Sequence, residues 1–208
     1  MRCGDHSGNA VVTTIIVNKE RISVKKLWSM LILAALLTTG LTACGGESSQ
    51  ETGSGSGVLA GFTAQDLEGN DVDDSIFDDY DVTMINVWGT LCGPCIQEMP
   101  DLGQLAEDYA DEGLQIVGIV SDATDYEGGY PEETVELAKE IVEETGAGYL
   151  HLLPSQDLLD RVLSSIQVVP TTFFVDSEGN QLGGIVTGAK SYEDWTAIFD
   201  QKLEEAQS

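Results

Sequence analysis

Two cysteines separated by two residues, Cys92 and Cys95, are the side chains in this sequence best suited to chemistry. A thiolate is both a nucleophile and a metal ligand, so such a pair could exchange with a disulfide or help to hold zinc. A zinc site would need two further ligands, and His151 is the only other Cys or His after residue 44. The spacing therefore favours a redox-active disulfide, and we expect no bound metal or other cofactor.

The neighbouring residues predict that this pair opens a helix directly after a buried strand. Val82 to Val87 is a short run rich in β-branched residues, and a helix is predicted from Cys92 to about Ala110. Unpaired N–H groups and a partial positive charge at a helix N-terminus favour an anion. We therefore expect Cys92 to be the accessible nucleophile and Cys95, about one turn further, to be the resolving thiol.

Gly93 and Pro94 between the cysteines suit the first turn of a helix and supply no competing side chain. Trp88, four residues before Cys92, is expected to pack against and shield this turn. His151 is predicted to be a structural histidine within a short strand.

The rest of the chain after residue 57 alternates predicted strands and helices, which indicates an α/β fold with a central mixed sheet flanked by helices. Before the cysteines, the predicted elements are a short strand near Phe62, a turn at Glu68 to Asn70 and a one-turn helix near Ser75 to Phe77. After the cysteine-containing helix, the predicted strands run from Leu114 to Val120, from Tyr149 to Leu153, from Thr171 to Val175 and, as a hairpin strand, from Gly183 to Val186. The predicted helices between and after them run from Glu132 to Thr145, from the capping residue Ser155 through Leu163, and from Ser191 to about Glu205.

The first 43 residues are predicted to be an export signal. Lys25 and Lys26 precede an apolar run of about 15 residues, shorter than the roughly 20 that span a bilayer. The run ends in Leu-Thr-Ala-Cys-Gly around Cys44, which resembles the lipobox of bacterial lipoproteins and implies a lipid on Cys44. Residues 1 to about 23 are unusual ahead of the basic residues of an export signal, which suggests that the translation start was assigned too far upstream. Residues 44–57 are predicted to be a flexible Gly/Ser-rich linker, and residues 58–208 the folded domain.

The charge of the chain excludes one class of partner. The formal net charge is -27, and five of the nine Lys and Arg residues lie before residue 44. Only Asp5 and Glu20 of the 36 acidic residues do so, which leaves four basic against 34 acidic residues in the remainder. Such a surface repels phosphate backbones, so we expect no nucleic-acid partner.

The motifs resemble the thioredoxin family. Cys-Gly-Pro-Cys preceded by Trp88 is similar to its active site, and Val169-Pro170-Thr171-Thr172-Phe173 is similar to its cis-proline strand. Pro100 resembles the proline within its active-site helix. The resemblance implies a cis Val169–Pro170 bond beside the cysteines, with Val169, Pro170 and Thr171 forming the substrate-docking edge.

The closer resemblance is to the exported TlpA/ResA-like branch of that family. The segment from Ser121 to Leu153 resembles its strand-helix insertion, preceded here by an N-terminal extension, and Glu98 falls where ResA-type members carry an active-site glutamate. Two residues depart from the pattern of that branch: Leu91 replaces the usual tryptophan, which puts the substrate range in doubt, and Gly93 replaces a frequent glutamate, which puts a dedicated role in cytochrome c maturation in doubt. If it is partly buried, Glu98 is either a proton acceptor for Cys95 or a group that tunes the pKa values of the thiols; the alternative is a solvated helix residue.

This resemblance implies a thiol-disulfide oxidoreductase anchored through Cys44 on the extracytoplasmic face of the cell membrane, acting on protein disulfides. A CcdA-type membrane transporter would supply electrons, and the recipients would be cytochrome c apoproteins or an extracytoplasmic methionine sulfoxide reductase. Reduction is the favoured direction. An oxidase that forms disulfides, or a non-catalytic binding lipoprotein on the same scaffold, are the alternatives.

Overall fold

A five-stranded mixed sheet forms the centre of the fold. The computed structural model describes residues 57–125 and 127–207, so the predicted signal peptide, Cys44 and all but the last residue of the linker lie outside the described residues. The strands are β1 (Thr63–Gln65), β2 (Asp71–Asp73), β3 (Val82–Trp88), β4 (Leu114–Val120), β5 (Leu150–Leu152), β6 (Thr171–Val175) and β7 (Val186–Thr187). The central sheet has the order β5-β4-β3-β6-β7, and β1 and β2 form a separate hairpin.

The sheet combines parallel and antiparallel pairs, which confirms the predicted mixed α/β fold. Strands β3, β4 and β5 are parallel, whereas β6 is antiparallel to β3 and β7 is antiparallel to β6. The helices are α1 (Gly93–Asp108), α2 (Glu132–Thr145), α3 (Gln156–Arg161) and α4 (Tyr192–Ala206), with short 3₁₀ helices at Asp74–Phe77 and Leu163–Ser165. The segment predicted as an insertion contains α2 and β5, which extends the sheet beyond β4.

Strand β3 is buried along its whole length because both faces of the sheet are covered. Met84 and Trp88 point to the side that carries α1, α2 and α4, and Ile85 and Val87 point to the side of α3 and the N-terminal segment. Thr83 and Asn86 are the polar residues in this buried run. This burial fixes the end of β3, from which the cysteine-containing turn emerges.

Among the predicted elements whose bounds differ from the structure, two differ for a reason that the backbone angles show. The strand expected from Gly183 to Val186 is reduced to β7, because Gly183 has a φ of 74° and cannot continue an extended strand. The helix expected through Leu163 ends as α3 at Arg161, since Val162 has non-helical angles and a 3₁₀ turn follows. The strand expected near Phe62 begins at Thr63.

Among the described residues, no helix is both long enough and apolar enough to span a membrane.

Candidate active site

The two cysteines lie at the junction of β3 and α1 and form a disulfide, with an S–S distance of 2.02 Å. Cys92 caps the helix with an extended backbone, and its Sγ accepts a hydrogen bond from the Cys95 N–H at 3.3 Å. Gly93 and Pro94 form the exposed first turn of the helix. Cys92 is partly exposed, whereas Cys95 is only 1% exposed. Cys92 is therefore the sulfur that a second protein can reach.

The cis-proline loop lies against the exposed sulfur. The Val169–Pro170 peptide bond is cis, which confirms the expected conformation. The carbonyl oxygen of Val169 is 3.6 Å from the Sγ of Cys92. Thr171 begins β6, and its hydroxyl donates to the carbonyl of Val168 at 2.7 Å. Of the predicted docking residues, Val169 is thus the one whose carbonyl lies directly beside the sulfur of Cys92.

Glu98 is a buried carboxylate one turn beyond Cys95 on the same helix. Only 3% of it is exposed, so it is not the solvated residue that the sequence left open. Its Oε1 accepts from the Asn86 side chain at 3.2 Å, and its Oε2 accepts from the Lys190 backbone N–H at 3.0 Å and the Trp195 indole at 3.4 Å. Burial raises the pKa of Glu98, and these hydrogen bonds partly oppose that rise.

Trp88 lies beneath the active-site turn and is held by His151. The Trp88 indole N–H donates to Nδ1 of His151 at 3.1 Å, so Nε2 carries the proton that is shared with the Ala147 carbonyl at 2.9 Å. Burial lowers the pKa of His151 to about 4, which keeps the ring neutral. A Cβ at Gly118 would lie 2.2 Å from that Nδ1, so glycine is required there. His151 is structural, as predicted.

Sequence reasoning missed two residues near the cysteines: Ser121, which contacts the end of β3, and Asp122, which contacts the turn that follows. Both follow the end of β4, which the register places beside Trp88. The backbone N–H and hydroxyl of Ser121 both donate to the Trp88 carbonyl at 2.8 Å. The carboxylate of Asp122 accepts from the backbone and hydroxyl of Thr90. A composition or spacing pattern carries no signal for these contacts, because they depend on strand register.

Exposed apolar side chains lie next in sequence to Cys92 and to Val169, whose carbonyl is near the Cys92 sulfur. Leu91, directly before Cys92, is 88% exposed, and Val168, directly before Val169, is 58% exposed. An open groove of about 300 Å³ adjoins Val169 and includes Leu159 among its lining residues. Isolated exposed apolar residues are common, but their position beside a reactive sulfur suits contact with another protein.

No group of three or more His, Cys, Asp or Glu side chains within residues 57–125 and 127–207 is arranged to bind a metal ion. The expectation that the protein needs no metal or other cofactor stays a prediction.

Comparison with known proteins agrees with this geometry. The model of the AhpC/TSA family matches residues 58–180. The thiol-disulfide oxidoreductase ResA of Geobacillus thermodenitrificans (strain NG80-2) is 30% identical over 181 residues, which cover 85% of this chain and 92% of the relative. ResA of Geobacillus kaustophilus (strain HTA426) is 28% identical over 179 residues, with the same coverage of 85% and 92%.

Solved structures show the same fold. A thioredoxin-family thiol:disulfide interchange protein from Chlorobium tepidum TLS superposes with a TM-score of 0.56 at 23% identity, covering 68% of this chain and 92% of that one. StoA from Bacillus subtilis superposes with a TM-score of 0.51 at 18% identity, covering 66% and 95%.

These relatives, together with a disulfide at the start of α1 beside a cis-proline, identify the chemistry as thiol-disulfide exchange. The chain belongs to the AhpC/TSA family of thioredoxin-like proteins and is a ResA-like thiol-disulfide oxidoreductase.

Proposed function

We propose that this protein reduces disulfides of other proteins outside the cytoplasm, with Cys92 as nucleophile and Cys95 as resolving thiol. One observation supports this most strongly: the partly exposed sulfur of Cys92 caps α1 and lies 3.6 Å from the Val169 carbonyl, while Cys95 is buried behind it. A sulfur in that position is accessible to a partner disulfide and lies where the helix N-terminus stabilises a thiolate.

The reaction begins with the reduced pair. The Cys92 thiolate attacks one sulfur of the substrate disulfide, and a Cys92–substrate S–S bond forms as the substrate bond breaks. The departing substrate sulfur takes a proton from solvent. The backbone carbonyl of Val169 lies close enough to the mixed disulfide to accept a hydrogen bond from the substrate chain.

The second step releases the substrate. The Cys95 thiol gives its proton to Glu98, attacks the Sγ of Cys92 and forms the intramolecular disulfide present in the structure. The second substrate sulfur departs and receives that proton, so two electrons have passed from the dithiol to the substrate. Because burial raises the pKa of Glu98, its carboxylate is a stronger base than an exposed one.

The cellular setting forms part of the same proposal. We place the domain on the extracytoplasmic face of the cell membrane, tethered by a lipid on Cys44 and the linker of residues 44–57. A CcdA-type membrane thiol transporter would return two electrons to the disulfide. Cytochrome c apoproteins or an extracytoplasmic methionine sulfoxide reductase would receive them. The lipobox-like sequence and the similarity to ResA support this setting.

Reduction of insulin with dithiothreitol as electron donor tests the roles of the cysteines. We expect wild type to accelerate the reaction and Cys92→Ser to fall to the uncatalysed rate. Cys95→Ser should retain the attack but accumulate mixed disulfides, and identifying the trapped proteins in cells would name the substrates. Equal rates for wild type and Cys92→Ser would overturn the proposed function and favour a binding protein.

A redox titration against glutathione tests the direction. A reduction potential of about -270 mV, as in thioredoxin, is the expected result. A value of about -120 mV would instead assign the protein to the disulfide-forming oxidases.

A further inference from the structure

The turn that leads into Cys92 is attached to the end of β4 by one carboxylate. Asp122 accepts from the backbone N–H of Thr90 at 3.1 Å through Oδ1 and at 2.9 Å through Oδ2. The Thr90 hydroxyl donates to the same Oδ2 at 2.8 Å. Thr90 is only 5% exposed, so both donors would be costly to leave without an acceptor.

This attachment reaches the nucleophile through a short path. The backbone N–H of Cys92 donates to the carbonyl of Gly89 at 3.0 Å, which closes the turn. Thr90 and Leu91 are the two residues inside it. Because Asp122 fixes Thr90 and the turn fixes Cys92, the carboxylate sets where the capping sulfur and the exposed Leu91 lie relative to α1.

We infer that Asp122 is a positioning residue for thiol-disulfide exchange: it holds the Gly89–Cys92 turn so that the Cys92 sulfur stays at the N-terminus of α1 in both redox states. The inference rests on the proposed role of Cys92 as nucleophile. The disulfide itself fixes Cys92 in the oxidised protein, but that bond is absent after reduction. The carboxylate then becomes the main side-chain restraint on the turn.

Two substitutions at the same position separate hydrogen bonding from charge. Asp122→Asn and Asp122→Ala both remove the negative charge, but only asparagine keeps an oxygen that can accept from Thr90. Thr90→Val is a milder variant, because it removes the hydroxyl bond and leaves the backbone bond and the charge in place.

Asp176 provides a matched control. It accepts from the backbone N–H groups of Glu178 and Asn180 at 2.9 Å in a turn directly after β6. Val175 pairs with Thr83, near the start of β3, so this turn lies at the opposite end of the strand from the cysteines. Asp176→Ala therefore removes similar bonds without touching the active-site turn.

The experiment uses the full chain and two measurements: single-turnover reduction of insulin by the reduced protein, and the pH dependence of Cys92 alkylation by iodoacetamide. We expect Asp122→Ala to slow exchange about tenfold or more and to shift the alkylation midpoint to higher pH than in Asp122→Asn. Asp122→Asn should stay within about threefold of wild type, and Asp176→Ala should match wild type in both. Thr90→Val should show a smaller slowing in the same direction.

Equal rates and midpoints for Asp122→Ala and Asp122→Asn would overturn the inference, and so would an equally large effect of Asp176→Ala. Should Asp122→Ala fail to fold, as judged by circular dichroism, Thr90→Val decides: an unchanged rate would refute the positioning role. A wild type no faster than Cys92→Ser would instead refute the proposed function, so the two failures are distinguishable.

Discussion

Replacing His151 with asparagine tests how a neutral buried histidine ties the stability of the domain to pH. Trp88 already donates to Nδ1, and the proton on Nε2 is donated to the Ala147 carbonyl. A second ring proton would therefore meet the Trp88 N–H. Burial lowers the pKa of His151 from its ordinary 6.5 to about 4.

The sign and size of the effect follow from that difference. As pH falls below about 6.5, the unfolded chain binds a proton at His151 that the folded protein does not bind until about pH 4. The free energy of unfolding contributed by this group is thus fully present above about pH 6.5 and is lost as pH falls to about 4. At about 1.4 kcal/mol for each pH unit, the loss amounts to about 3 kcal/mol.

Urea unfolding of the oxidised wild type and His151→Asn at several pH values measures this contribution. The many carboxylates titrate in both proteins, so they cancel in the difference. The variant should be less stable at neutral pH, because it loses the ring contacts with Trp88 and Tyr149. We expect that difference to shrink by about 3 kcal/mol between about pH 7 and about pH 4. A difference independent of pH would refute the reasoning.

Three further substitutions test other parts of the structure. Glu98→Gln should slow release of the mixed disulfide about a hundredfold, because it removes the proton acceptor; unchanged release on non-reducing gels would contradict that role. Gly118→Ala should lower the free energy of unfolding by about 1–3 kcal/mol, because its Cβ would lie 2.2 Å from His151 Nδ1. Gly148→Ala is the control, because its Cβ would meet no atom within 4 Å. Equal urea midpoints for Gly118→Ala and Gly148→Ala would contradict the expected clash. Cys44→Ser should release the protein from membranes on fractionation, and retention of the variant would contradict the lipid anchor.

Elements with local signals were predictable from the sequence. Helix α2 has the predicted bounds because Gly146 adopts the left-handed conformation, with a φ of 70°, that ends helices. The buried strand β3 and the start of α1 agree within one residue, since an apolar run and the Gly-Pro turn mark them. The prediction of the final hairpin strand was wrong, because only the backbone angle of Gly183 shows that the extended conformation is interrupted there.

The residues of the candidate site likewise divide into those that the sequence predicts and those that only the structure shows. The cysteine pair is a local motif that could be read directly, and the cis-proline was implied by the resemblance of residues 169–173 to the thioredoxin family. The environment of Glu98 could not, because it depends on Lys190 and Trp195, which are 92 and 97 residues away in sequence. The contact of Asp122 with Thr90 likewise depends on the register of β3 and β4, which no periodicity reveals.

Competitive alkylation of the reduced protein across a pH range tests the central claim most directly, with mass spectrometry to assign each modified thiol. The account predicts that Cys92 reacts first, with an apparent pKa below that of free cysteine, while Cys95 stays protected. Preferential modification of Cys95, or a Cys92 that ionises no more readily than free cysteine, would contradict it.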